Sequence, residues 1–190
     1  MTALTNLIQR SMAGDQVAFG EIFEQYQNLV YKTAYLMLDN PHEAEDALQE
    51  IFVKVYRSLD KYQPSKAAFS TWLYRITVNH CLNQRRKPLF ATDKLEQSRF
   101  ASQPPHALED RLADEQALQQ ALNRLSAKLR AVIVLRYYHD LAYAEIAQIL
   151  EIPLGTVQSR LHQGMQQIKL ALQAEQPRTF PKREVPDELS

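Results

Sequence analysis

Thr156, Ser159, His162 and Gln163 are spaced to share one face of a helix, and that face is short-chained, polar and nearly free of acid. Hydroxyls and amides placed this way can hydrogen-bond base edges or phosphates of duplex DNA. The alternative is a small helical domain whose polar face meets only water. The lack of the usual Glu/Lys mixture favours nucleic acid. A second group, Trp72, Arg75, Asn79, Asn83 and Arg86, also lies along one side of a helical pattern, beside a loop that carries Tyr62. Exposed bases stack on aromatics while cations follow the backbone, which is how single strands are held. A buried Trp72 with ordinary surface amides explains the same residues equally well. Arg85-Arg86-Lys87 is also what a helix C-terminus attracts. A third group, Asp46, Gln49, Glu50, Val53 and Arg57, gathers its acids toward one end of a polar face with a valine in its middle. That suits docking by a basic partner, whereas the bland account is a solvated face with one ordinary exposed apolar residue.

The elements that must carry these groups are helical. Tyr143–Lys169 reads as a short helix, a tight turn and a longer helix. Ala142, Ile146 and Leu150 give the first an apolar face. Pro153 cannot lie inside that helix but fits the first turn of the next, where its missing N–H is not needed. Val157, Leu161, Met165, Ile168 and Leu172 are expected to form the buried stripe of the second. Gly164 is expected to weaken it by roughly 1 kcal/mol relative to alanine. This is the layout of a helix-turn-helix, with the N-terminal part of the second helix in the major groove.

Upstream, Leu4, Leu7, Ile8 and Met12 predict a short helix ending near Gly14, and Asp15 fits the N-cap of a second. Phe19, Ile22, Phe23, Tyr26, Val30, Ala34 and Leu38 give that second helix a long apolar stripe. Asn40-Pro41-His42-Glu43 is a start signal for a third, over Pro41 to Ser58, whose core side is Ala44, Leu48, Ile51, Val55 and Leu59. Asp60–Lys66 reads as a loop. A fourth helix follows from about Ala67 to Arg86, with Phe69, Leu73 and Ile76 on its apolar edge. Periodicity then lapses until Leu108, Leu112, Leu118 and Leu122 restore it, and Ser126 caps a further helix. An unstructured stretch of this length inside one compact domain would be unusual. The expectation is therefore an all-α protein of two small helical domains, residues 1–87 and 108–174, joined by a flexible linker over 88–107 and followed by a disordered tail over 175–190.

Composition narrows the function. The 22 basic and 22 acidic residues cancel, so tight electrostatic binding to DNA by the chain alone is not expected. The single cysteine, Cys81, excludes internal disulfides and a cysteine-rich zinc site. Five scattered histidines without metal spacing, no glycine-rich phosphate loop and no nucleophile–base signature argue against an enzyme, a metal or a cofactor. His80 and Cys81 are adjacent and face different ways on a helix. No apolar run approaches membrane-spanning length, and the first residues lack a basic-then-apolar pattern, so a cytoplasmic protein without membrane insertion is expected.

With both halves in view, the chain resembles the extracytoplasmic-function sigma factors of bacterial RNA polymerase, within the sigma-70 superfamily. In the first half the likeness lies in Gly14-Asp15, Ala18-Phe19, Glu45-Asp46-Ala47-Leu48-Gln49-Glu50-Ile51-Phe52, and Phe69-Ser70-Thr71-Trp72-Leu73 with Arg75, Ile76, Asn79 and Arg86. In the second it lies in Leu125-Ser126, Arg130, Leu135-Arg136-Tyr137-Tyr138, Glu145-Ile146-Ala147, and Gly155-Thr156-Val157 with Ser159-Arg160-Leu161. Both sets in this order are highly specific.

The resemblance implies that the chain confers promoter choice on polymerase without doing chemistry, in stress or envelope responses and under an anti-sigma protein. It implies that Asp46, Gln49, Glu50 and Val53 meet the clamp helices of the beta-prime subunit. Lys61, Tyr62, Trp72, Arg75, Asn79 and Arg86 would melt the minus-ten element and capture a non-template base. Thr156, Gln158, Ser159, Arg160, His162 and Gln163 would read the minus-thirty-five element as duplex, with the second domain against the beta flap. Two departures stand out: His162-Gln163-Gly164-Met165 replaces a common basic run, and Asn83 a frequent acid. The competing class, an autonomous helix-turn-helix regulator, would bind duplex tightly without polymerase and usually as a dimer on a palindrome. The neutral charge and the Trp72–Arg75 helix argue against it.

Overall fold

The structure, a computed structural model, describes residues 3–85 and 117–175, and among them there are helices and turns but no strand. Helix α1, Ala3–Met12, buries Ile8, while Met12 points to solvent instead of joining the expected apolar face. Gly14 turns the chain at φ +94°, a conformation that costs glycine little. Asp15 then caps α2, Gln16–Leu38. Its carboxylate accepts the N–H groups of Val17 and Ala18 at 3.0 and 3.1 Å and also pairs with Arg10. The backbone hydrogen bonds and Arg10 hold its carboxyl below the usual range.

Helix α2 ends where Asp39 enters the left-handed region at φ 62°. Asn40 then caps α3, Pro41–Ser58, accepting from His42 and Glu43 N–H at 2.9 and 3.2 Å, with Pro41 at the first helical position. A 3₁₀ turn, Leu59–Lys61, leads out of it. Helix α4 spans Phe69–Gln84 and starts later than expected because Ala68 stays extended. Together α1 to α4 enclose Ile22, Val30, Met37, Ile51, Val55 and Leu73. Ala47 and Phe52 are buried where Leu48 was expected, and Leu48 and Ile76 are only half-buried.

The second module begins, within the described residues, with α5 over 117–124. Ser126 caps α6, Ala127–Ile133, through its hydroxyl and the Leu129 N–H at 3.4 Å. A π-helical turn, Val134–Tyr138, follows. Helix α7, Tyr143–Leu150, starts with the Glu145 carboxylate accepting the Ala142 N–H at 2.8 Å and ends at Glu151, again left-handed at φ 53°. Helix α8 is Leu154–Glu175. Pro153 stands just before it, and its carbonyl takes the N–H groups of Thr156 and Val157 at 2.9 and 3.2 Å.

Two expected faces need correction. Helix α7 buries Ile146 and Ile149, while Leu150 is half-buried and Ala142 is an exposed N-cap. Helix α8 buries Val157, Leu161, Gly164, Ile168 and Ala171. Met165 is 41% exposed and Leu172 half-buried, because α6 crosses α8 at Gly164. A Cβ on Gly164 would stand 2.9 Å from Ile133 Cγ1. This glycine is therefore a close-approach residue and not merely a weak helix former. The expected linker, residues 108–116 of the second domain and the tail beyond Glu175 lie outside the described residues.

The modules pack against one another. Helix α4 lies along α7, and α2 meets α6 and the π-helical turn.

Candidate nucleic-acid interface

Helix α3 presents Asp46, Gln49, Glu50 and Val53 on one outward face at i, i+3, i+4 and i+7, and all four are exposed, Val53 by 49%. The helix is set by the packing of Ala44, Ala47, Ile51 and Val55 on its other side. Beneath the face lies a polar anchor that the sequence did not reveal. Lys54 Nζ donates to His80 Nδ1 at 2.6 Å, and His80 Nε2 is 3.9 Å from Glu50 Oε2. His80 is thus a buried link between α3 and α4, beside Cys81, whose thiol burial pushes up to about 12. A thiol held protonated in this way is not a nucleophile.

Tyr62, Phe69 and Trp72 form a triangle with ring centroids 5.2 to 5.5 Å apart, and Tyr26 meets Phe69 from α2 at 5.1 Å. The Tyr62 hydroxyl donates to the Ala67 carbonyl at 3.2 Å, which closes the loop before α4. Burial raises the Tyr62 phenol above its ordinary value. Trp72 is half-buried, packed against Tyr62 and Phe69. Lys61 and Asn79 are exposed, Arg75 is half-buried and ion-paired with Glu151 of the second module, and Arg86 lies outside the described residues.

On α8, Gln158, Ser159, His162 and Gln163 are exposed and Thr156 and Arg160 half-buried, in a face without acid. Ser159 donates to the Thr156 carbonyl at 3.1 Å. Arg136 fixes the approach to α7. Its guanidinium pairs with Asp140 and the Leu141 carbonyl, both at 3.1 Å, and lies 5.6 Å over the Tyr143 ring.

The structure thus gathers the α3 group, the aromatic group and the α8 group on three faces. It also shows contacts between the modules that the sequence did not reveal, made by Asp39, Arg130, His139 and Glu151. Arg130 carried a signal, since it interrupts the apolar run Leu129–Leu135, and it is wholly buried.

Comparison with known proteins identifies each of the two helical modules. The family described as Sigma-70 region 2 matches residues 22–88, and that described as Sigma-70, region 4 matches residues 115–168. A helical module of each kind in this order defines a sigma-70 type initiation factor, a class that selects promoters and is not an enzyme. The chain is 35% identical over 177 residues to the ECF RNA polymerase sigma factor SigW of Bacillus subtilis, covering 87% of this chain and 94% of that protein. It is 34% identical to the ECF RNA polymerase sigma-E factor of Escherichia coli (85% and 90%) and 32% identical to the RNA polymerase sigma-H factor of Pseudomonas aeruginosa (88% and 92%). The chain belongs to the extracytoplasmic-function sigma factors of RNA polymerase. The fold is shared with CnrH, solved with the cytosolic domain of CnrY (TM-score 0.65, 23% identical, 90% of this chain and 97% of that one). It is shared too with RpoE of Bartonella quintana, solved with the anti-sigma factor NepR (TM-score 0.63, 21%, 83% and 98%). Among the described residues no helix is long and apolar enough to cross a membrane, and no group of residues could hold a metal ion.

Proposed function

We propose that the three groups of residues divide the work of promoter opening. The α3 face, Asp46, Gln49, Glu50 and Val53, docks on the beta-prime clamp helices. The loop after α3 and helix α4, with Lys61, Tyr62, Trp72, Arg75 and Asn79, hold the separated minus-ten strand, joined by Arg86, which follows α4 in the sequence. Flipping a base costs a few kcal/mol, which stacking on Trp72 and phosphate contacts by the cations offset. The α8 face, Thr156, Gln158, Ser159, Arg160, His162 and Gln163, reads the minus-thirty-five duplex while its module rests on the beta flap. Residues 1–87 and 108–174 are the two working units. The chain acts in the cytoplasm, on stress or envelope-response genes, and an anti-sigma protein holds it until a signal arrives.

The observation that carries this proposal is the acid-free exposed face on α8 standing apart from an acid-bearing exposed face on α3. The two are chemically suited to different partners, DNA and a basic protein surface. Footprinting of the polymerase complex on a responsive promoter tests it. Wild type should protect both elements. Ser159→Ala with Gln163→Ala should lose the upstream protection alone and keep polymerase binding. Loss of both together, or of neither, would contradict the division of roles.

A further inference from the structure

We propose that His80 is a positioning residue for promoter opening: its imidazole ties α4 to α3 and so sets the angle at which Arg75 and Asn79 meet the promoter strand. This rests on the minus-ten role proposed for α4. Glu50 and Lys54 are four residues apart on α3, the spacing at which two side chains share an edge of a helix. The His80 ring comes from α4, is buried, and faces both of them. An ammonium has only donors, so across 2.6 Å Lys54 Nζ donates and His80 Nδ1 accepts. The ring proton is then on Nε2, the nitrogen that stands 3.9 Å from Glu50 Oε2. This tautomer turns a lone pair toward the cation and an N–H toward the carboxylate, so both neighbours favour it.

The link matters because of what else α4 carries. Successive residues of a helix stand about 100° apart around its axis, so fixing His80 fixes the direction of Asn79 beside it and of Arg75 a turn further back. Asn79 is exposed and Arg75 half-buried, whereas His80 is on the packed side. The surrounding core includes Ile51 and Val55 on α3 and Leu73 and Val78 on α4, all apolar. Burial of that kind is non-directional and leaves a helix free to turn slightly about its axis. Thr77 is also buried on α4, but its hydroxyl donates to the Leu73 carbonyl of its own helix at 2.9 Å and adds nothing across the boundary. The Lys54–His80 hydrogen bond is directional and crosses from one helix to the other. A satisfied polar link in a low dielectric specifies one arrangement where apolar packing tolerates several. Glu50 belongs to the exposed group on α3, so one imidazole stands behind that face and next to Asn79 of the other.

The test uses holoenzyme assembled with the full chain in excess, so that a change in core affinity drops out. It reads the rate of opening at a mapped promoter by the permanganate reactivity of unpaired thymines. His80→Leu keeps bulk and removes both polar roles. His80→Gln keeps an acceptor and a donor on one carbon, as the ring does on the carbon between its nitrogens. Lys54→Met removes the donor and leaves the ring, and it takes the place of the leucine variant if circular dichroism shows that one unfolded. The leucine and methionine variants should each open about fivefold more slowly, the rate equivalent of one net hydrogen bond. The two changes together should be no slower than either, and the glutamine variant should open as wild type does. Nitrogen magnetic resonance of the His80 ring in the wild-type chain should find its one proton on Nε2. Unchanged opening with leucine, equal slowing by leucine and glutamine, effects that multiply in the double variant, or a ring proton on Nδ1 would each overturn the proposal. Asn79→Ala separates it from the reading beneath it. Slow opening with Asn79→Ala but not with His80→Leu removes the positioning and leaves the α4 role standing. A normal rate with Asn79→Ala removes that role and the positioning with it.

Discussion

Gly164 shows how a single residue is set by its neighbour across the interface of two helices. Intrinsic propensity favours alanine in a helix by roughly 1 kcal/mol. The Ile133 side chain, 2.9 Å from where the methyl would stand, opposes it, and overpacking of this kind costs about 1–3 kcal/mol. The second effect should win. Gly164→Ala is expected to lower stability by about 1 kcal/mol, read as a fall in the denaturant midpoint at unchanged slope. In an Ile133→Ala background the same methyl should be neutral or stabilising. A stabilised single variant would show that α6 and α8 are not in this close contact. The caps behave more simply. Asn40→Ala removes the acceptor for two N–H groups and should cost about 1 kcal/mol.

At the scale of elements, α3 carries the docking proposal because its two sides are chemically separate. The buried side fixes the helix, so the exposed side can change without unfolding it. Asp46→Arg with Glu50→Arg should abolish core-polymerase binding in a pull-down while leaving the helical spectrum and melting point within a degree or two. Binding that survives reversal of both charges would remove the assignment. Local chemistry made much of this legible beforehand. Asp15, Asn40 with Pro41, and Ser126 are caps whose side-chain oxygen and position announce a helix start, and all three hold in the structure. Burial was less legible where a helix is crossed by another. Met165 fits the period but α6 meets α8 at Gly164, and a hydrophobic repeat cannot show where a second helix will cross. The start of α4 was misplaced because Ala68 gives no sign that it stays extended.

The contacts between modules were not legible at all. They depend on side chains far apart in sequence, such as Asp39 with Gln119, and on residues whose types suit a surface equally well. His139 exemplifies them and gives a pH prediction. Burial, then the Lys32 ammonium, lowers its pKa to about 4, below the value near 6.5 of an unfolded chain. Thr33 on α2 and Tyr74 on α4 face the ring, and Glu145 on α7 bears on the Tyr74 phenol, which burial raises to about 12. Between pH 6.5 and 4 the unfolded chain binds a proton that the folded one refuses. The neutral ring's contribution is therefore complete above pH 6.5 and is lost as pH falls toward 4. Allowing for solvent access, the loss is on the order of 1–2 kcal/mol. His139→Gln should flatten that part of the stability-against-pH curve, and an unaltered slope would mean the ring is not buried neutral.

The central claim is that this chain selects promoters as a subunit of polymerase and not as a DNA-binding protein on its own. Run-off transcription on genomic fragments, with core polymerase and the purified chain added separately and together, tests it most directly. Transcripts from discrete starts should appear only with both present, while the chain alone leaves duplex fragments unshifted at physiological salt. Tight, sequence-specific binding of duplex by the chain alone, with no start sites gained on adding polymerase, would contradict it.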